Sequence, residues 1–191
     1  MPREREFDPE EALDKIMRLF WRQGYLDTSV DDLVAFTGVS RYGLYGAFGG
    51  KHEMLLAALD RYRDTLVTPR VEAMEAPDAG LDSIHGYFQC LMDVGEPPEA
   101  GCLMSNIATE LAPHDRRSAK KVNGHFARLE AAFRNALGNA RKEGEIDPTL
   151  DVETEAAVLN GVVQGGAVMA RAGADCRAIE KLVRGALARL G

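Results

Sequence analysis

At 191 residues with 46% hydrophobic residues, the chain is long enough to form one or two compact domains with a real core. A net charge of -7 excludes a broadly basic nucleic-acid-binding surface. Any such contact must come from a local patch, because charge is screened beyond about 8–10 Å at physiological salt. Three widely spaced cysteines exclude a disulfide framework, and the charged run from Arg3 to Glu11 is no secretory leader, so a cytoplasmic protein is expected. The most apolar stretch, Ala156 to Ala170, carries Asn160 and Gln164 and is too short to span a bilayer.

The first predicted helix opens at Asp8-Pro9-Glu10-Glu11, with a capping Asp, Pro at the first helical position and acids in the first turn. Leu13, Ile16, Met17 and Phe20 share one face, and Gly24 closes the element. Trp21 and Tyr25 read as packing residues. A second helix is capped by Ser29, with Asp32 completing a capping box and Val30, Leu33 and Val34 on one face. Thr37-Gly38 ends it. Ser40 caps a third helix, in which Leu44, Ala47 and Phe48 are expected to turn inward. Arg41, Tyr42, Gly43 and Tyr45 are left on the outer side, and no acid occurs from Ser40 to His52.

Two short helices around a glycine-containing turn describe a helix-turn-helix, whose second helix enters the DNA major groove. The outward residue types suit that task. Arg forks onto guanine edges, while tyrosine hydroxyls, cap hydroxyls and helix N-terminal amides bind phosphates.

From Lys51 a longer helix is expected to run toward Pro69, with Leu55, Leu59, Tyr62 and Leu66 inward and a break from Pro69 to Gly80. Ile84, Phe88, Leu91 and Met92 mark the next helix, followed by a loop from Gly95 to Gly101 and a short helix from Cys102 that stops at Pro113. Val122, Phe126, Leu129, Phe133 and Leu137 then indicate a long helix to about Gly144. In the next helix, capped by Asp151, Ala157, Gly161 and Gly165 share a face beside Val158, Val162 and Met169, which suggests close helix approach. Asp175 caps the last, whose apolar stripe is Ile179, Leu182, Val183, Ala186, Leu187 and Leu190. As helix-turn-helix proteins read two half-sites as symmetric dimers, Val158, Gly161, Val162, Gly165, Ile179, Leu182, Val183, Ala186 and Leu187 are expected at a homodimer interface.

The runs T-S-V-D-D-L, G-V-S-R-Y-G-L-Y-G-A-F and K-H-E-M-L-L, over roughly residues 9 to 60, strongly resemble the N-terminal domain of the tetracycline-repressor (TetR) family of bacterial transcription regulators. The resemblance implies an all-α chain of about nine helices: a three-helix DNA-binding domain over 1–50, then an effector-binding and dimerisation domain over 51–191. It implies phosphate contacts at Thr28 and Lys51 and operator contacts at Ser40, Arg41, Tyr42, Gly43 and Tyr45. Gly46 stands where the family often has a polar residue. The family encloses an effector pocket between its middle helices, and the matching segments here carry Tyr62, Phe88, Met92, Cys102, Met104, Ser105, Phe126 and Met169. That mixture suits a mainly apolar small molecule. The implied partners are a palindromic double-stranded operator, a second copy of the chain and that effector; no cofactor or membrane is expected.

No enzyme is expected. His52, His85, His114 and His125 lack metal-ligand spacing, no C-x-x-C occurs, and Gly49-Gly50 and Gly165-Gly166 form no phosphate loop. Cys102, at a helix start, allows a second reading as a redox- or electrophile-sensing thiol or the nucleophile of a helical enzyme. Cys90 reads as structural, and Cys176 as either.

Overall fold

The computed structural model describes residues 7–92 and 101–191, so the expected loop over 95–100 lies outside the described residues. Among the described residues the regular elements are all helical. They are α1 (Pro9–Gln23), α2 (Val30–Thr37), α3 (Arg41–Phe48), α4 (Lys51–Tyr62), α5 (Thr68–Glu75), α6 (Leu81–Met92), α7 (Leu103–Glu110), α8 (Arg116–Glu143), α9 (Val152–Arg171) and α10 (Cys176–Leu187). None of them is long and apolar enough to cross a membrane. The starts follow from capping chemistry. The side chains of Asp8, Ser29, Ser40, Asp115, Asp151 and Asp175 each accept a first-turn amide.

One expectation fails at Pro69. The helix from Lys51 does not break there but passes through a π turn, Arg63–Val67, and continues as α5 to Glu75. Proline has no N–H to donate and its ring crowds the carbonyl four residues back. The widened turn absorbs this: the Thr68 amide reaches back five residues to the Arg63 carbonyl, just before the donor is lost. Counting α4, the π turn and α5 as one rod leaves nine helices among the described residues.

Ile16 and Phe20 of α1, Leu33 of α2, Leu44 of α3 and Met54, Leu55 and Leu59 of α4 are fully buried, which fixes the first three helices against the head of the rod. Farther along, Phe88 of α6 stacks on Phe133 of α8 at 5.8 Å, and Tyr87 meets both rings edge-on. Polar ties hold α8 along the rod. Lys121 reaches Asp60 at 2.6 Å, and the Arg128 guanidinium forks onto Glu75 at 2.7 and 2.8 Å. Partly exposed pairs of this kind contribute on the order of 1 kcal/mol each, so they set register more than stability.

The start of α8 carries a pH-sensitive tie. Asp115 accepts from the Ser118 amide at 2.7 Å and meets His52 of α4 at 3.0 Å. Ser118 first and His52 second hold its carboxyl well below the usual carboxylate range. A carboxyl depressed in the folded state contributes stability above its unfolded value, about 3.9, and loses it as pH falls toward the folded value. Asp115→Asn is therefore expected to flatten the fall of stability between about pH 4 and pH 2, measured by urea unfolding at each pH. An unchanged slope would contradict the assignment.

At the far end, α9 and α10 approach where α9 has no side chain. Gly166 is buried, and the Ile179 methyl lies 3.4 Å from where a Cβ would stand. The glycine stripe expected from sequence holds only in part. Gly165 meets Leu182 at 3.8 Å, whereas Ala157 is exposed and Gly161 opens onto space.

Candidate nucleic-acid interface and internal cavity

The α2–α3 turn is built from short-range bonds. Thr37 Oγ1 donates to the Leu33 carbonyl at 2.7 Å and accepts the Val39 amide at 3.1 Å, while Gly38 takes the left-handed conformation at φ 75°. Leu44, wholly buried, anchors α3 on the core. Its outer side carries Arg41, Tyr42, Tyr45 and Gly46, with Tyr42 90% and Tyr45 44% exposed. Ala47, expected inward, is exposed too, and Phe48 is half-buried. The eight-residue helix turns only Leu44 fully inward, and Val39, before its start, fills the adjoining core position.

Four further expectations change in three dimensions. Thr28 is wholly buried and its hydroxyl donates to the Gly24 carbonyl at 2.6 Å, so its side chain shapes the α1–α2 turn and cannot meet a phosphate. Gly43 is a packing residue: a Cβ there would lie 2.9 Å from a Val39 methyl and 3.1 Å from the Phe7 ring. Lys51 is half-buried with its ammonium 4.2 Å above the Tyr25 ring, a cation–π contact in which burial lowers its pKa. The acid-free stretch is not acid-free in space, because Arg41 Nη2 donates to Asp31 of α2 at 2.6 Å. Ser40 remains exposed; its oxygen accepts the Gly43 amide at 3.1 Å and its own proton is free to donate.

Behind this module lies a cavity of about 170 Å³. Of the residues expected to line it, Tyr62, Phe88, Met92 and Cys102 do so. Met104, Ser105, Phe126 and Met169 do not. Met104 is buried in the core, and the Ser105 hydroxyl donates to Gln164 at 2.5 Å. On α8 the inward position belongs to His125, three residues after Val122 and four before Leu129, which turns Phe126 aside. On α9 the wall is Val162, Val163, Gly166, Ala167 and Ala170, which leaves Met169 off it. Reasoning from sequence missed Trp21, Val67, Arg70, Tyr87 and His125. Only His125 had a usable signal, its fit to the α8 repeat.

Several of the residues expected at a dimer interface also make contacts within the chain. Val162, Ile179 and Val183 line the cavity, Gly165 lies under Leu182, and Ala186 is buried. Val158, Leu182 and Leu187 are half-buried and Gly161 is exposed, beside Val168 at 54% exposure.

The cavity's polar corner is Cys102, His125 and Tyr62. Burial pushes the Cys102 thiol up, but hydrogen bonding and charge from His125, with a further bond from Tyr62, outweigh it and bring the thiol down to about 6. Burial, then the neighbouring sulfur, push the Tyr62 hydroxyl well above its ordinary value, so it stays a donor. From this corner three contacts lead to the end of α1. Trp21 Nε1 donates to the Gly101 carbonyl at 3.0 Å. Arg171 Nη1 donates to the Arg22 carbonyl at 2.8 Å. Glu110, the last residue of α7, accepts the Tyr25 and Leu26 amides at 3.0 and 2.6 Å.

Fold and site together define a helix-turn-helix protein whose reading module is hydrogen-bonded to a cavity-bearing helical body. Residues 12–58 match the model of the bacterial regulatory proteins of the tetR family, and residues 80–186 match a tetracyclin repressor-like C-terminal domain. The chain is 34% identical to the HTH-type transcriptional repressor ComR of Escherichia coli over 95% of its own length and 87% of that protein. It is 31% identical to the HTH-type transcriptional regulator YezE of Bacillus subtilis, over 84% of each chain. A solved structure of the TetR family regulator CifR, a cysteine mutant complexed with 26-bp double-strand operator DNA, superposes with TM-score 0.82 at 21% identity, over 99% of this chain and 100% of that one. This chain belongs to the tetracycline-repressor family of bacterial transcription regulators.

Proposed function

We propose that the chain is a cytoplasmic, homodimeric repressor that binds a palindromic operator and releases it when a small, mainly apolar effector fills the cavity. Residues 1–50 would form the DNA-binding domain and 51–191 the effector-binding and dimerisation domain. The reading rests above all on α3, which holds Tyr42 at 90% exposure beside Arg41 and Tyr45 on a helix anchored by Leu44. An aromatic side chain held that far into solvent has no packing role, and tyrosine and arginine supply phosphate and base-edge contacts. Ser40, Arg41, Tyr42 and Tyr45 are the proposed contacts, with the half-buried Lys51 beside them and Gly46 letting the main chain come close. ComR is a repressor by its description, and CifR was solved on operator DNA; both lend support. For the dimer, the proposed surface is what remains open on the last two helices: Val158, Gly161, Val168, Leu182 and Leu187.

Release would work by population shift. An occupant touches Tyr62, Val67 and Arg70, which lie on the rod whose head, at Lys51, carries the reading module. It also touches Gly101 and Cys102, at the start of α7. The far end of α7 is Glu110, clamped to the α1–α2 turn. Both paths turn a change in the cavity into a change in the angle of α3, and so in the spacing of two recognition helices.

The Glu110 clamp is checked separately. Glu110→Ala is expected to lower stability by about 1 kcal/mol, since water reaches the exposed Leu26 side of the bond, and to speed hydrogen exchange at the Tyr25 and Leu26 amides. Unchanged exchange there would remove the clamp from the coupling path. Selection of bound sequences from random DNA by the purified protein tests the function as a whole. A palindrome with half-sites about one helical turn apart is expected, and failure to enrich any motif would overturn the reading.

A further inference from the structure

The polar corner of the cavity is arranged for chemistry rather than packing. Cys102, His125 and Tyr62 come from three elements and meet in one wall, with the sulfur hydrogen-bonded by both partners. Elsewhere the wall is aromatic and aliphatic, apart from the Arg70 guanidinium and a second thiol, Cys176, at the start of α10. The size of the space restricts what enters: about 170 Å³ is close to the roughly 150 Å³ apolar cavity that takes benzene, so the occupant is of about six to eight heavy atoms.

We propose that the effector is a small soft electrophile, an α,β-unsaturated aldehyde or ketone of that size, which Cys102 captures covalently. This rests on the effector-released repressor reading and names the class of ligand for it. His125 takes the thiol proton and Sγ attacks the β-carbon. As the S–C bond forms, the alkene electron pair moves through the α-carbon onto the carbonyl oxygen, where Arg70 supplies a cation. The α-carbon then takes the proton back from His125. The net change is addition of S–H across C=C, with no oxidant, reductant or leaving group. Stabilisation of the thiolate by His125 makes the first step available near neutral pH.

Capture also reaches the rod. Tyr62 is the last residue of α4 before the π turn, and its hydroxyl bonds the sulfur. A thioether accepts a hydrogen bond more weakly than a thiolate. Alkylation therefore loosens Tyr62 while the added atoms press on Val67 of the π turn. Both changes fall at the point where the rod already departs from α-helical geometry.

The full-length protein contains its own controls: Cys90 is exposed and lies off the cavity wall, and Cys176, also exposed, lines the cavity without being bonded by His125 and Tyr62 as Cys102 is. It is treated with 2-cyclohexen-1-one, and adducts at the three cysteines are followed by peptide mass spectrometry from pH 5.5 to 9. Cys102 is expected to react severalfold faster than Cys90 at pH 6.5, because a larger thiolate fraction outweighs its lower intrinsic nucleophilicity. Its rate should level off above about pH 7. His125→Asn should abolish that early plateau. Operator Kd, on the selected sequence, is expected to rise about tenfold or more on treatment of the wild type, and to be the same with and without treatment in Cys102→Ser. Prior reaction of Cys90 or Cys176, or a Cys102 adduct with unchanged operator Kd, would overturn the proposal. The adduct measurements need no DNA and stand if Cys102→Ser fails to fold. A protein that forms the Cys102 adduct first yet selects no DNA motif upholds the capture and sinks the regulator reading instead.

Discussion

Arg41→Ala is expected to weaken operator binding by the proposed dimer between about 30-fold and 20,000-fold while leaving the fold intact. A bidentate arginine–base contact is worth about 1–3 kcal/mol, and twofold symmetry places one in each half-site, giving about 2–6 kcal/mol in all. Loss of the fold is not the cause, because the Arg41 side chain is 58% exposed and its partner Asp31 83%. An exposed pair of that kind contributes at most about 1 kcal/mol to stability. Tyr45→Ala should cost less, about tenfold, because one phosphate hydrogen bond per half-site is lost rather than a base contact. Fluorescence anisotropy on the selected operator, with circular dichroism to check the fold, measures both. Operator binding by Arg41→Ala within threefold of wild type would remove Arg41 from the interface.

The Asp31 contact sharpens that expectation. One of the five guanidinium donors is taken by Asp31, which would leave the other four for the proposed base contact. A carboxylate beside the reading face opposes phosphate attraction in general while fixing the direction of this one arginine. Against the net charge of -7, such an arrangement disfavours random duplex more than a matched site.

Much of the fold was legible because it is dictated locally. Caps at Asp8, Ser29, Ser40, Asp151 and Asp175 and the left-handed glycine at position 38 are short-range chemistry, and each stands where the sequence put it. The misreadings arose where a residue's role is decided by a distant partner. Thr28 has the chemistry of a phosphate ligand, but its hydroxyl satisfies a carbonyl inside its own turn. Asp31 precedes the acid-free stretch by nine residues of sequence yet sits one hydrogen bond from Arg41. Pro69 announces a helix end, and only the preceding π turn cancels that signal. His125 was outweighed by the larger and more apolar Phe126, although the α8 repeat admits either position. The apolar residues of α9 and α10 could not be divided from sequence into those serving the cavity and those left for a partner. A glycine or a valine on a stripe looks the same in both roles.

Gly101→Ala should be the most damaging glycine-to-alanine change among the described residues, costing about 2–5 kcal/mol. Two separate penalties meet there. The residue is left-handed at φ 62°, a conformation that costs an L-residue about 1–2 kcal/mol. An added Cβ would also stand 2.6 Å from the Ala167 carbonyl oxygen and 3.2 Å from Arg171 Cβ. The first of these is helix backbone and cannot swing aside as a side chain would. Forcing a methyl into a packed site typically costs about 1–3 kcal/mol more. For a chain of this size, that total lowers Tm by roughly 5–15 °C. The damage should not stay local. Gly101 accepts the Trp21 indole N–H, and Arg171 bonds the end of α1, so displacement at this point moves the joint between cavity and reading module. Gly101→Ala is therefore expected to lower operator affinity from a position remote from α3, measurable as a loss of binding at a temperature where the variant is still folded. Gly38→Ala isolates the conformational part, since Gly38 is left-handed too, at φ 75°, with nothing within 4 Å of its Cβ position. It should cost only about 1–2 kcal/mol. If the two variants melt at the same temperature, the close approach of α9 to Gly101 contributes nothing, and the joint must be held by the hydrogen bonds alone.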